Sequence, residues 1–278
     1  FIMLQDKNGD GMEDTPMELA AHQLTRRRDA WLWRLFATGH SFVFIGIGGL
    51  VLCVLVLPLL AILPGGAVAR RRRARAAISR AFYLHMQFMY RTRVLDFRID
   101  GADRLGRPGQ LIIANHPSLI DVIFLIAQIR DTNCVVKASL WNNPCMRGAV
   151  SAAQYISNNG SPEMLEQAAE VLREGQSLVV FPEGTRTTPG QPPRFHRGAA
   201  AIALRGARVI TPVFISVTPT TLTKAEPWYR IPDRRVVVAL RIGDDIDPSS
   251  FGDAPLPIAS RRLNRHLHQL FLEELDPS

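Results

Sequence analysis

The sequence predicts an α/β protein, a mixed and mostly parallel sheet covered by helices, with an N-terminal membrane-associated helical segment ahead of it. Three observations carry this reading. From about residue 93, apolar runs of strand length alternate with stretches of helical character. Before that point, Ser41 to Leu63 forms 23 residues without one ionisable side chain except Cys53. The positive charge, finally, is gathered into two short arginine blocks flanking that run.

The elements follow in chain order. Residues 1–16 read as a flexible polar lead-in. Within them DKNGDG, Asp6 to Gly11, matches the first half of an EF-hand loop, but Met17 stands at the twelfth position, where a bidentate glutamate is needed for calcium. Residues 17–92 read as a membrane-anchoring helical region. Its first part, residues 17–37, is predicted to be helical and to lie along the membrane surface. Its apolar core, residues 41–63, is long enough at 1.5 Å per residue to cross a hydrocarbon layer of roughly 30 Å. Gly46, Gly48, Gly49 and Pro58 leave open a bent segment held in one leaflet. The run is too long and too far from the start for the h-region of a cleaved signal peptide.

The net charge of +8 is concentrated in RRRDAWLWR (26–34) and RRRRARAAISR (70–80), and the rest of the chain is close to neutral. A nucleic-acid surface would spread basic and aromatic residues over a folded face, so no nucleic-acid partner is expected. Basic flanks around an apolar run suit an anionic bilayer surface, with Trp31 and Trp33 as an interfacial belt. Six arginines after the run against four before it favour a cell-membrane protein whose following domain lies on the cytoplasmic face. Cys53, Cys134 and Cys145 make neither a zinc pattern nor a disulfide framework, which fits a reducing compartment. The histidines show no metal spacing, and no metal is expected.

Residues 93–278 read as the α/β domain. Its predicted strands are RVLDFRI, LIIA, NCVVK, SLVVF, VITPVFI and RVVVALRI. Ser161 and Pro162 predict a helix start and Gly175 its stop, and an amphipathic helix is predicted over 257–275. At 278 residues and 47% hydrophobic content, the chain can bury one large core or two small ones.

Two loops carry candidate chemistry. NHPSLID, Asn115 to Asp121, follows the strand LIIA. Pro117 biases His116 toward extended geometry. Ser118 and Asp121 also make an S-x-x-D capping box before the apolar run VIFLIA, so Asp121 either caps a helix or partners His116. FPEGTR, Phe181 to Arg186, turns at the carboxyl end of SLVVF, where α/β folds place ligands; alone, it also reads as an ordinary turn with an exposed arginine.

An NHxSxxD element followed some sixty residues later by FPEGTR resembles the glycerolipid acyltransferase family, whose best-known members acylate 1-acylglycerol 3-phosphate. VVKASLWNNP (135–144) is similar to that family's lysine-bearing strand and turn, and RFHRGAAAIALRGARVITPVFI (194–215) to its basic-Gly-Ala helix and proline-containing strand. The resemblance covers about residues 95–220. It implies transfer of an acyl group from a thioester, carried by coenzyme A or acyl carrier protein as co-substrate, to a lipid hydroxyl at the membrane, with no cofactor. A hydroxyl needs a base as it attacks; the resemblance gives that role to His116, with Asp121 fixing its tautomer through a carboxylate oxygen other than the one that caps. It assigns Glu183, Gly184, Thr185 and Arg186 to acceptor binding. Arg186 is the expected phosphate clamp, Glu183 holds the loop, and Lys137 and Arg197 are secondary anion contacts. Asn158 stands where the family has arginine, which opens a second reading: the same transfer onto another lipid acceptor, such as another lysolipid, an amino-acid lipid or a polyene-type lipid. A non-catalytic lipid-binding protein of the same fold and a hydrolase using Ser118 are the further alternatives.

Overall fold

The computed structural model describes residues 30–188 and 190–275, with the side chains of residues 144 and 145 left aside. The EF-hand-like stretch and most of the segment 17–37 lie outside the described residues. The first described element is α1 (Trp31–Ala61), one continuous helix of 31 residues with mean hydropathy 2.8 over its most apolar window. It has a π-helical turn at Leu52–Val56, directly before Pro58. A proline has no N–H to donate to the preceding turn, and a wider turn accommodates its ring. No break separates the predicted surface helix from the apolar run.

The chain reverses after α1 into α2 (Gly66–Arg91), which holds all six arginines of the second block. Arg73 donates to the carbonyl of Leu60 near the end of α1 and to those of Leu63 and Pro64 in the turn that follows, so one arginine ties the reversal together. Phe44 stacks on Phe88 with ring centroids 4.6 Å apart, binding the two helices face to face.

Seven strands follow: β1 (Leu95–Asp100), β2 (Gln110–Ala114), β3 (Asn133–Lys137), β4 (Ile156–Asn158), β5 (Leu178–Val180), β6 (Val209–Thr218) and β7 (Val236–Ile242). They make one sheet in the order β1-β7-β6-β2-β5-β3-β4. Every pairing is parallel except β6 with β7. The mixed, mostly parallel sheet covered by helices is therefore as the sequence predicts. β4 is the strand that the sequence reading missed, because three residues give no period-2 pattern to detect.

The side-chain alternation of β2 sorts the core into two layers. Ile112 and Ala114 face a cluster that includes Ile78 and Met86 of α2 and residues of α3 (Asp121–Ala127) and α4 (Pro144–Ala153). Leu111 and Ile113 face the other cluster, built by α5 (Pro162–Arg173), α6 (Gly198–Gly206) and α7 (Leu256–Leu275). The helix start at Ser161 is as predicted, with Ser161 Oγ accepting the Met164 N–H at 3.2 Å.

The flanking residues of the membrane segment are not all free for lipid, contrary to the expected interfacial belt. Arg34 is 2% exposed and donates to the carbonyls of Asp233 and Arg234. Trp31 donates its indole N–H to the Ile231 carbonyl at 3.0 Å and Trp33 to that of Thr92 at 2.8 Å. In the second block, Arg75 is equally buried, donating to the Ala153 carbonyl and to Gln176 and Asp131. A buried guanidinium needs several acceptors, which backbone carbonyls supply for Arg34 and a carbonyl with two side chains supplies for Arg75, whose Nη2 has no partner among the described residues.

Candidate active site

The site is assembled by two loops at the carboxyl ends of the neighbouring strands β2 and β5. Asn115 anchors the first, its side chain exchanging two 2.8 Å hydrogen bonds with the backbone of Ile215 on β6. The next residue, His116, is thereby aimed away from the sheet. Its Nδ1 lies 3.0 Å from Asp121 Oδ2, and because a carboxylate only accepts, Nδ1 carries the proton and Nε2 remains as the basic nitrogen.

Asp121 is wholly buried at the first residue of α3. The Ser118 N–H donates to the same Oδ2 at 2.6 Å, while Oδ1 has no partner among the described residues. Capping and pairing therefore fall on one oxygen, and the expected division between two oxygens is not what forms. Nor is Ser118 the N-cap. Its hydroxyl is fully buried and donates to the Thr221 carbonyl at 2.9 Å, which also removes it as a nucleophile. Burial raises the Asp121 carboxyl above its ordinary value, opposed by the bonds from His116 and the Ser118 N–H.

The second loop is tied to the first through Glu183. Its Oε1 accepts the His116 backbone N–H at 2.8 Å, and the Thr187 hydroxyl lies 3.0 Å from Oε1 and 2.8 Å from Oε2. The Thr187 N–H donates back to the His116 carbonyl at 2.8 Å. Burial raises the Glu183 carboxyl, against those same bonds. Gly184 turns the loop with φ +65°, where a side chain would be strained and would approach His196 and Asn158. Thr185 follows, exposed, on the wall of the cleft. Arg186 also reaches the cleft, but its Nη1 donates to the carbonyls of Leu222 and Thr223, both at 2.9 Å. The expected phosphate clamp thus also fastens the loop after β6.

His116, Glu183, Gly184, Thr185 and Arg186 line a cavity of about 1430 Å³. Lys137 at the end of β3 and Asn158 at the end of β4 lie on its polar rim. From His116 it extends between α3 and α2 to Gly46, Gly49 and Cys53 of α1, along a largely apolar wall. Arg197 does not share it; it lies outside this cleft, in a separate groove against α7. The residue that takes its place is His196, which the sequence reading considered only for metal spacing. Thr187 was also missed, one position beyond the quoted motif. Among the described residues, no three His, Cys, Asp or Glu side chains converge as metal ligands.

The family described as Acyltransferase matches residues 96–216, the segment that contains both loops and the strands beneath them. Under half of the chain is matched, and those residues are similar to that family's domain. The 1-acyl-sn-glycerol-3-phosphate acyltransferase of Saccharomyces cerevisiae is 27% identical over 205 residues, covering 70% of this chain and 61% of its own length. The alpha enzyme of that name from Mus musculus is 29% identical over 191 residues, covering 65% of each chain. The chain thus spans under two thirds of the length of these relatives. The chain also matches the crystal structure of the 1-acyl-sn-glycerophosphate acyltransferase of Thermotoga maritima, with TM-score 0.64 and 19% identity over 85% of this chain and 97% of that one. That likeness is one of fold.

Proposed function

We propose that this protein is a membrane-bound O-acyltransferase that moves a fatty acyl group from a coenzyme A or acyl carrier protein thioester to the hydroxyl of a lysophospholipid, 1-acylglycerol 3-phosphate foremost. The observation that carries the reading is the 3.0 Å contact of His116 Nδ1 with Asp121 at the polar end of a long apolar cavity. With Nδ1 protonated and held, Nε2 takes the proton of the acceptor hydroxyl as that oxygen attacks the thioester carbonyl. The buried carboxylate stabilises the imidazolium so formed. The tetrahedral intermediate then collapses, the C–S bond breaks, and the imidazolium returns the proton to the departing thiolate. Lys137 and the remaining N–H groups of Arg186 supply cationic contacts for the acceptor phosphate at the rim.

The cavity ends against α1, which supports passage of acyl chains from the lipid side. Ile47, Leu50, Val54, Leu55, Leu59 and Ile62 are all more than half exposed. Trp31 and Arg34 fasten the start of α1 to the loop before β7, and Cys53 packs beside Gly148 of α4. A helix held to one domain along its length favours an in-plane position in a single leaflet, and the six arginines after the apolar run against four before it favour the cytoplasmic face for the domain. Asn158 favours a second reading of the acceptor, since an amide at the cavity rim offers hydrogen bonds without the charge that a phosphate monoester favours.

The test presents the purified full chain in vesicles with labelled acyl-coenzyme A or acyl carrier protein, and 1-acylglycerol 3-phosphate or an uncharged lysolipid. Preferential acylation of the phosphate-bearing acceptor supports the first reading. Preference for the uncharged lysolipid supports the second, and no transfer from either donor overturns both.

A further inference from the structure

A second cavity, of about 340 Å³, opens where residues 194–197 meet α7. Four arginines surround it: Arg194 and Arg197 from the loop, and Arg261 and Arg265 from the helix. Residues 261, 264, 265 and 268 share one helix face, at spacings of three, four and seven. The loop is fixed against this face at two points. His268 Nε2 donates to the Pro193 carbonyl at 2.8 Å, and the buried Phe195 ring packs edge-on against His268 and Phe271 at centroid distances of 5.6 and 5.0 Å.

Four guanidinium groups gathered in one groove repel one another unless an anion lies among them. Among the described residues none of the four forms an ion pair, whereas Arg173, Arg241 and Arg262 each meet a carboxylate. The fold therefore gathers a cationic groove that no carboxylate among the described residues neutralises. It lies on the sheet face covered by α6 and α7, opposite the layer that carries α1 and α2, so a soluble anion suits it better than a bilayer headgroup. The loop is also a wall shared with the first cavity, because His196, between Phe195 and Arg197, lines the cleft of His116.

We propose that this groove binds the nucleotide phosphates of coenzyme A, with the pantetheine arm passing His196 into the catalytic cleft. The proposal rests on the thioester-dependent reading above. A pyrophosphate and a 3′-phosphate carry about four negative charges at neutral pH, matching the four arginines, and each guanidinium fork pairs two phosphate oxygens. A carrier protein would dock through a broad surface of several hundred Å² rather than a concave groove of nucleotide size. This assignment gives Arg197 a role on the donor side, which the cleft itself does not give it.

The experiment is calorimetric titration of the detergent-solubilised full chain with coenzyme A, and separately with adenosine 3′,5′-bisphosphate, for the natural sequence and for the variant R261Q/R265Q. Both replaced side chains are exposed, so the fold is retained, and circular dichroism checks this. The expected result is a Kd for coenzyme A at least tenfold higher in the variant, with the same rise in KM for acyl-coenzyme A and no change in KM for acyl-pantetheine, which lacks the nucleotide. An unchanged Kd overturns the proposal. A rise in KM confined to acyl carrier protein as donor, with coenzyme A binding unchanged, overturns it in favour of protein docking. Acyl transfer without the Kd change rejects the groove alone; coenzyme A binding at the groove without any acyl transfer rejects the enzymatic reading alone.

Discussion

Replacing Asp121 by asparagine separates stability from activity. The carboxylate is wholly buried, with two hydrogen bonds on Oδ2 and, among the described residues, none on Oδ1. The amide keeps one acceptor for the Ser118 N–H and the His116 Nδ1–H, so the loss is the charge assistance of those bonds, about 1.5–3 kcal/mol. Against it stands relief of a buried charge, several kcal/mol per ion. The amide NH2 takes the unpartnered Oδ1 position, where its unmet donors cost a further ~1–3 kcal/mol, so the terms nearly cancel and stability at pH 7 stays within about 1 kcal/mol of the natural protein. Its pH dependence has a definite sign. The Asp121 carboxyl is raised in the folded state, so the natural protein binds this proton more tightly folded than unfolded, and its stability falls as pH rises from the ordinary value of 3.8 through the raised one. The asparagine variant lacks that loss. Its relative stability therefore rises with pH across the carboxylate range and levels off above it. Acyl transfer falls by about 10²–10⁴-fold, since neither the tautomer nor the imidazolium is supported as before. Denaturant unfolding in detergent at pH 4 and pH 7, with turnover at pH 7, reads both. Activity within tenfold of the natural protein, or a stability difference that shrinks as pH rises, would contradict the role given to this carboxylate.

Two further outcomes follow from the same geometry. Glu183→Gln keeps an acceptor for the His116 N–H and the Thr187 hydroxyl and changes stability by less than about 1 kcal/mol, whereas Glu183→Ala leaves both donors unpaired and costs about 2–4 kcal/mol; equal losses in unfolding measurements would count against the assigned bonds. Ile47→Lys and Val54→Lys alter residues 59% and 68% exposed on α1, so the fold is kept while each raises the free energy of insertion by roughly 1.5–2.5 kcal/mol at an in-plane depth. Co-sedimentation with vesicles drops by tenfold or more, and unchanged partitioning would argue that this face does not enter lipid.

Elements whose residues repeat a local pattern were legible in the sequence. The alternating or continuous apolar runs gave six of the seven strands, and Ser161 with Pro162 gave the start of α5, because the information lies within a few residues of the feature it predicts. His116 and Asp121 were legible as a pair for the same reason, being five positions apart. What escaped depends on partners distant in the chain. Arg34 looks like any flanking arginine until the loop 233–234 folds against it, and Arg75 is one of six in its block until the 131–176 neighbourhood closes over it. Arg186 reads as a free cation from its motif, yet two carbonyls 36 and 37 residues away accept from it. Adjacent residues can also part company: His196 lines the catalytic cleft and Arg197 the arginine groove, a division set by the buried Phe195 and not by spacing.

The proposed acyl transfer depends on His116 as the base for the acceptor hydroxyl. Its most direct test is single-turnover acyl transfer by His116→Ala in vesicles containing 1-acylglycerol 3-phosphate, with coenzyme A binding measured on the same preparation. A fall in the chemical step of about 10²–10⁴-fold with binding intact is the predicted result. Transfer within tenfold of the natural enzyme would contradict it.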